Sequence, residues 1–200
     1  YTKDHLLFMK SIKKLKAFVL DFLSRELPEN LTYHGVHHTL HVMEVCEQHI
    51  KRMKIKGKDA WLLRTAALIH DVGIAKTYSD HEAESFKFAE KHLPEWGYGK
   101  EELMAIKGMI MATQIPQKPQ SILEKILCDA DLDYVGTNKF YEIGDTLFKE
   151  FMAYKVIKNE EEWDRLQVNF LSKHHYHTEY SKKHREPVKM AFVQEILDKW

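Results

Sequence analysis

The segment at 60–76, AWLLRTAALIHDVGIAK, is apolar on almost every side as a helix and then presents His70 and Asp71 next to each other. A helix that is hydrophobic all round lies in the centre of a domain, because none of its faces suits water. Its last turn therefore carries an imidazole and a carboxylate into the interior, where such groups need a partner or a cation. Gly73 follows and is predicted to end the helix. The segment predicts a central helix that contributes to a metal site.

A second segment, YHGVHHTLHV at 33–42, holds four histidines. His34 and His38 are four residues apart, so their side chains lie on one face of a helix and can reach the same pocket. An apolar stripe follows, which predicts that the His38 face is buried. His37 and His41 have the same spacing on a neighbouring face, and we predict that they face solvent.

The third segment, SILEKILCDADLDYVG at 121–136, opens with a capping-box pattern and carries an apolar helical face. Three aspartates alternate at its far end, and on a helix they cannot all point the same way. Asp131 lies between Ala130 and Leu132 and is predicted to be buried. Asp129 and Asp133 are predicted to face solvent.

Histidine and aspartate therefore supply the candidate ligands. Imidazole nitrogens and carboxylate oxygens suit borderline or hard divalent ions. The two cysteines, Cys46 and Cys128, lack the spacing of a zinc site and are interpreted as buried thiols of a reducing, cytoplasmic compartment. The sequence thus predicts a metal site made by three helices.

Length and periodicity indicate one all-α domain. The chain has 200 residues, of which 44% are hydrophobic, enough for a sizeable core. Its net charge of zero implies no broad nucleic-acid surface, and its longest apolar run is too short to span a bilayer. Apolar periodicity predicts helices near 4–26, 34–56, 59–72, 80–92, 100–113, 122–135, 139–156, 160–173 and 186–199.

The ordered set of a YHxxxHT-type motif, an HD pair and an ADLDxxG-type motif resembles the HD-domain superfamily of metal-dependent phosphohydrolases. The resemblance implies a single-domain helical bundle over 1–200, with the metal site between central helices. Its metal-binding core would cover about 33–136, and the helices at 139–200 would close the pocket. The implied reaction is cleavage of a phosphomonoester or phosphodiester of a nucleotide or similar small metabolite by metal-activated water.

The resemblance also implies residue roles. The metal ligands fall on His38, His70, Asp71 and Asp131, and Asp71 would also orient the attacking water. His34 matches the residue that protonates the leaving oxygen in the cyclic-nucleotide phosphodiesterase branch. Related proteins with two metals take a further histidine from the interval between positions 92 and 174, where this chain has none. That departure favours one divalent ion, which could be Mn, Mg, Fe, Co, Ni or Zn.

Four further residues are predicted to bind the phosphate of the substrate. His81 begins a helical segment with its own capping-box pattern, and the alternatives are that it binds a second, weaker metal or is an exposed first-turn histidine. Lys173, His177 and Arg185 belong to the basic stretch 170–189, which could provide a counter-surface for an anion. The alternative for these three is a solvated loop and helix start.

Two other functions stay open at this point. One is a non-catalytic nucleotide-sensing or regulatory module that keeps the fold, and the other is an iron oxygenase, which usually needs two metals and more histidines. The expected partner is a small phosphorylated substrate, with no membrane contact. A homodimer is also left open.

Overall fold

The computed structural model describes the backbone of residues 3–200 and the side chains from residue 12 onward. Within that range the chain is 74% helical and contains no strand, so the all-α prediction is confirmed. The α-helices are α1 (Lys3–Glu26), α2 (Val36–Met53), α3 (Gly57–Ile69), α4 (His81–His92), α5 (Lys100–Ala112), α6 (Ile122–Asp131), α7 (Phe140–Ala153), α8 (Glu160–Lys173), α9 (Glu179–His184) and α10 (Glu186–Leu197). Short 3₁₀ turns occupy Val72–Ala75, Leu93–Trp96 and Asp133–Gly136. No helix in the described part of the chain is long and apolar enough to cross a membrane.

Helix α3 is the central element, as its composition predicts. It packs against α1, α2, α5 and α6, and every residue from Ala60 to Ile69 except Arg64 is buried. Leu63 has no exposed surface, so its burial contributes about 1.5–3 kcal/mol. Truncation of Leu63 to Ala is expected to cost about 2–5 kcal/mol, since the packed surroundings cannot collapse into the space.

The prediction that Gly73 ends this helix is wrong. Helix α3 ends at Ile69, and Gly73 lies inside the following 3₁₀ turn. A Cβ atom on Gly73 would come within 2.1 Å of the backbone oxygen of His81 and 2.4 Å of the nitrogen of Ser85. The Gly73 amide donates to Ser85 Oγ at 2.8 Å. Glycine is therefore needed because the start of α4 rests directly on the turn that carries His70 and Asp71.

A second apolar cluster joins the C-terminal helices to the rest of the domain. Phe140 of α7, Leu171 of α8 and Ile196 of α10 are buried together with Tyr33 and Tyr134. The rings of Phe140 and Phe192 stack at 4.4 Å between centroids. This cluster brings α7 and α8 beside the segment that precedes α2.

Candidate metal centre

Four side chains from three helical segments converge at the heart of the domain. His38 comes from α2, His70 and Asp71 follow α3, and Asp131 ends α6. Each offers one nitrogen or oxygen atom, and these atoms all lie within 4.8 Å of one another. His38 Nε2 is 3.0 Å from Asp131 Oδ1 and 3.2 Å from Asp71 Oδ2, while His70 Nε2 is 3.1 Å from Asp71 Oδ2. The structure thus brings together the four residues predicted as ligands.

The arrangement fits a divalent cation. Nitrogen and oxygen ligands lie about 2.0–2.2 Å from a bound ion, so two that share an ion are roughly 3 Å apart. His70 Nδ1 faces the backbone oxygen of Ala67 at 3.0 Å, which leaves Nε2 to offer its lone pair to the cluster. That Nε2 atom and Asp71 Oδ2 are buried and have no hydrogen-bond partner among the described residues. Such atoms are costly to bury unless a cation binds them.

The electrostatics of the cluster favour ionised carboxylates. Burial alone would raise the pKa of Asp71, but the charge of His70 and the short contacts of Asp71 with His38 and His70 hold it well below its usual range. Burial is likewise opposed at Asp131, where the short contacts with His38 and His70 lower the pKa to about 2. The same carboxylates raise the pKa of His70 well above its ordinary value against the effect of burial. Protons and a cation therefore compete for the same atoms.

His34 lies beside the cluster and is held by Glu150 of α7. The ring of His34 is 5.9 Å from that of His38 and 5.7 Å from that of His81, measured between centroids. His34 Nδ1 pairs with Glu150 Oε1, and the His34 amide donates to Glu150 Oε2 at 3.0 Å. Because Nδ1 is engaged, Nε2 is the nitrogen left for a substrate.

Glu150 was not predicted from the sequence. It has no exposed surface, and it also accepts hydrogen bonds from the Tyr33 amide at 2.8 Å and the Tyr78 hydroxyl at 3.0 Å. Burial would raise its pKa, but hydrogen bonding to His34 and the charge of that ring lower it. It is a single acid on an amphipathic helix with no motif around it, and only its burial distinguishes it.

The structure places His81 at the cluster and not in solvent. His81 Nε2 lies 3.2 Å from Asp71 Oδ1 and 3.7 Å from Glu82 Oε1. Burial would lower the pKa of His81, but the hydrogen bond with Asp71 and the charges of Asp71 and Glu82 raise it to about 9. His81 thus faces the second oxygen of Asp71, while the first belongs to the ligand cluster. Its binding of phosphate stays a prediction.

A cavity of about 430 Å³ opens over the cluster. His34, Asp71, His81 and Asp131 line one end of it. Helices α7 and α8 supply most of the remaining wall, together with residues from the ends of α5 and α6. The apolar lining consists of Ile115, Leu132, Val135, Phe140, Leu147, Phe151, Val156, Trp163, Leu166, Phe170 and Leu171.

Lys173, His177 and Arg185 are not among the residues that line this cavity. Arg185 pairs with Asp133, with Nε 2.7 Å from Oδ1. Lys173 and His177 line a separate cavity of about 370 Å³, which shares part of its wall with the first through Ile115, Asn169 and Phe170. In this structure none of the three predicted phosphate contacts of the basic stretch therefore lines the cavity over the cluster.

The prediction that Asp129 and Asp133 face solvent is wrong. Asp129 has no exposed surface, and its oxygens accept from the His177 amide at 2.7 Å and from the amide and hydroxyl of Thr178 at 2.8 and 2.7 Å. Asp133 is 3% exposed because Arg185 covers it. The partners come from a segment more than 40 residues away, which no local pattern reveals. His37, by contrast, is exposed as predicted, and His41 is half-buried.

The fold and the cluster define an all-α protein with two histidines and two aspartates between its central helices that could hold a metal ion. Residues 35–133, which contain all four residues of the cluster, match the family model of the HD domain, so this part of the chain belongs to the HD-domain superfamily. Superfamily membership implies a divalent metal, for which this cluster is the candidate site.

Comparison with solved structures supports the same fold. The crystal structure of a predicted HD superfamily hydrolase from an uncultured Thermotogales bacterium is similar, with a TM-score of 0.58 and 23% sequence identity. The similarity covers 92% of each chain, so it extends over the C-terminal helices as well as the HD segment. No curated protein matches the chain.

Proposed function

We propose that this protein is a metal-dependent phosphohydrolase, which cleaves a phosphomonoester or phosphodiester of a nucleotide or similar small metabolite. The observation that carries the proposal is the meeting of three features at one end of a cavity. These are the four convergent ligand atoms, a histidine fixed by a buried glutamate, and a second histidine on the free oxygen of Asp71. The solved neighbour, described as a predicted hydrolase, supports it.

His38, His70, Asp71 and Asp131 would hold one divalent ion. When bound, such an ion neutralises charge on the phosphoryl group and lowers the pKa of a water molecule, which provides a nucleophile at neutral pH. Asp71 uses Oδ2 in the cluster and directs Oδ1 toward His81. The pair of Asp71 Oδ1 and His81 is then placed to orient the attacking water or a phosphoryl oxygen.

His34 donates the proton that the leaving oxygen needs. Glu150 accepts from Nδ1 and keeps Nε2 directed to the cavity. Because Glu150 is bound by three further donors, its carboxylate cannot turn away from His34. Glu150 is therefore a positioning residue. The helices at 139–200 close the pocket around these groups.

The test is metal content by elemental analysis, combined with phosphatase and phosphodiesterase turnover on a panel of phosphoesters before and after chelation. We expect about one metal per chain, loss of turnover on chelation, and recovery when Mn, Mg, Fe, Co, Ni or Zn is restored. Absence of bound metal and of turnover after every addition would contradict the proposal. That result would favour the nucleotide-sensing module.

A further inference from the structure

The charge in the cavity is confined to one end. The titratable residues of its wall, apart from tyrosines, are His34, Asp71, His81, Glu82 and Asp131, all at the metal centre. Among the side chains described, those of residues 12–200, no lysine or arginine lines the cavity. The far end therefore offers no cation to a second or third phosphoryl group.

The remaining wall is mostly hydrocarbon, and its polar members besides the aromatic side chains are Thr113, Gln167 and Asn169. Leu147 and Phe151 of α7 and Leu166 and Phe170 of α8 are only half-buried, and all four line the cavity. Among the few polar groups in this part, the Thr113 hydroxyl already donates to the Ile110 oxygen at 2.7 Å. Apolar surface left in contact with a cavity is stabilised by an apolar occupant.

The donors at the metal centre match a single phosphoryl group. Two carboxylates, Asp71 and Asp131, would offset the charge of one divalent ion. The rings of His34 and His81 stand together beside this cluster, where they are placed to contact the oxygens of one phosphoryl group. Each additional phosphoryl group needs further cations, and Arg185 is already bound to Asp133.

We propose that the substrate is a phosphomonoester with one phosphoryl group on a hydrocarbon-rich body, and that this body packs against the wall formed by α7 and α8. The inference rests on the proposed function, since the phosphoryl group is placed at the metal centre. It narrows the proposed substrates from phosphoesters of nucleotides and similar small metabolites to phosphomonoesters of an apolar alcohol. The volume of about 430 Å³ is within the range of small-molecule sites.

The first test measures binding, so that it does not depend on turnover. Methyl-, butyl-, hexyl- and octylphosphonate, which cannot be hydrolysed as esters, are titrated calorimetrically into the metal-loaded protein. Burial of each methylene, about 0.8 kcal/mol, corresponds to about a fourfold gain in affinity until the wall is covered. The heat capacity of binding becomes more negative along the series.

A pair of substitutions on one helix locates the effect. Leu147→Asn places an amide in the cavity wall, whereas Met152→Asn changes an exposed residue of α7 that does not line it. We expect Leu147→Asn to weaken hexylphosphonate about tenfold and to leave methylphosphonate unchanged, while Met152→Asn changes neither. Leu166→Asn on α8 repeats the test if Leu147→Asn fails to fold.

Turnover of the matching alkyl phosphates and of a nucleoside 5′-monophosphate and 5′-triphosphate separates this inference from the proposed function. Affinity that is flat along the alkyl series would overturn the inference. The inference would also be overturned if either nucleotide had a higher kcat/KM than the alkyl phosphates and Lys173→Ala lowered that value. Such a result would place the nucleotide in the adjoining cavity, which Lys173 lines. Affinity that rises with chain length without hydrolysis of any ester would uphold the packing of the alkyl body against the wall formed by α7 and α8, but would overturn the proposed function and with it the role of the phosphoester as substrate.

Discussion

Asp129 and Asp131 lie two residues apart at the end of α6, yet they belong to two different buried regions. Asp129 has its oxygens bound by the backbone and hydroxyl of 177–178, in a region that with Asp133 and Arg185 we name the C-terminal anchor. Asp131 meets only imidazoles and another carboxylate at the metal centre. Burial is common to both regions, so burial does not identify a metal ligand. What distinguishes the metal centre is that two of its buried polar atoms, His70 Nε2 and Asp71 Oδ2, have no hydrogen-bond partner among the described residues.

Asp131→Asn should have the largest effect, because it removes a ligand from the metal centre. We expect the metal content to fall from about one ion per chain to near zero, and turnover to fall below detection. Elemental analysis and a phosphoester assay measure the two losses. Asp129→Asn is the matched control, since it makes the same change two residues away and should retain the metal. Equal metal loss in both variants would remove the distinction between the two regions.

His34→Gln should lower kcat by between about 10²- and 10⁴-fold while the metal stays bound, because it removes the proton donor and no ligand. The loss should be much smaller with 4-nitrophenyl phosphate, whose leaving group departs without a proton. Steady-state kinetics on that substrate and on an alkyl phosphate make the comparison. Wild-type turnover of the alkyl phosphate would rule out His34 as the donor.

Asp129→Asn should lower the free energy of unfolding by about 3 kcal/mol, because an amide nitrogen would face buried donors that now bind a carboxylate. Denaturant unfolding of the metal-free protein measures this change. The corresponding unfolding of Asp131→Asn should show a smaller loss, since few donors bind Asp131. A larger loss of unfolding free energy for Asp131→Asn would show that Asp131, and not Asp129, is the aspartate that stabilises the fold.

A smaller effect concerns His174, near the C-terminal anchor. Burial, and then the charge of Lys189, lowers the pKa of His174 to about 3. Below pH 6.5 the unfolded chain binds a proton that the folded chain excludes, so this contribution to stability falls as the pH falls from 6.5 toward 3. The advantage of wild type over His174→Gln should therefore shrink by at most about 1.4 kcal/mol per pH unit. Unfolding curves at pH 8, 6 and 5 test it, and a constant difference would contradict it.

The sequence predicts most helices because their apolar periodicity is strong. It extends α2, α3, α6 and α7 three or four residues too far, and after α3 and α6 the excess runs into the 3₁₀ turns at Val72–Ala75 and Asp133–Gly136. It misses α9, whose six residues, EYSKKH, are almost all polar. Apolar periodicity reveals a helix only when the helix is long and amphipathic, and α9 is neither.

The residues of the candidate site also differ in whether a local pattern reveals them. The four predicted ligands and His34 stand in short motifs whose spacing places them on helix faces, so the sequence alone is enough to select them. Glu150 and the partners of Asp129 and Asp133 come from distant segments, and their burial depends on tertiary packing. Composition could not show whether Arg185 is available to bind phosphate, because its ion pair with the buried Asp133 depends on tertiary packing.

The pairing of His34 with Glu150 also bears on the order in which the protein matures. It joins residues 116 positions apart, whereas the ligand pair of His38 and Asp131 spans 93. A chain made from its N-terminus has all four ligands once residue 131 has emerged, but His34 has no acceptor until residue 150 follows. Contacts of long sequence separation form slowly. Under the proposed function, the nascent protein would therefore have its metal ligands before its proton donor is in place, and hydrolysis would begin only when the later helices have folded.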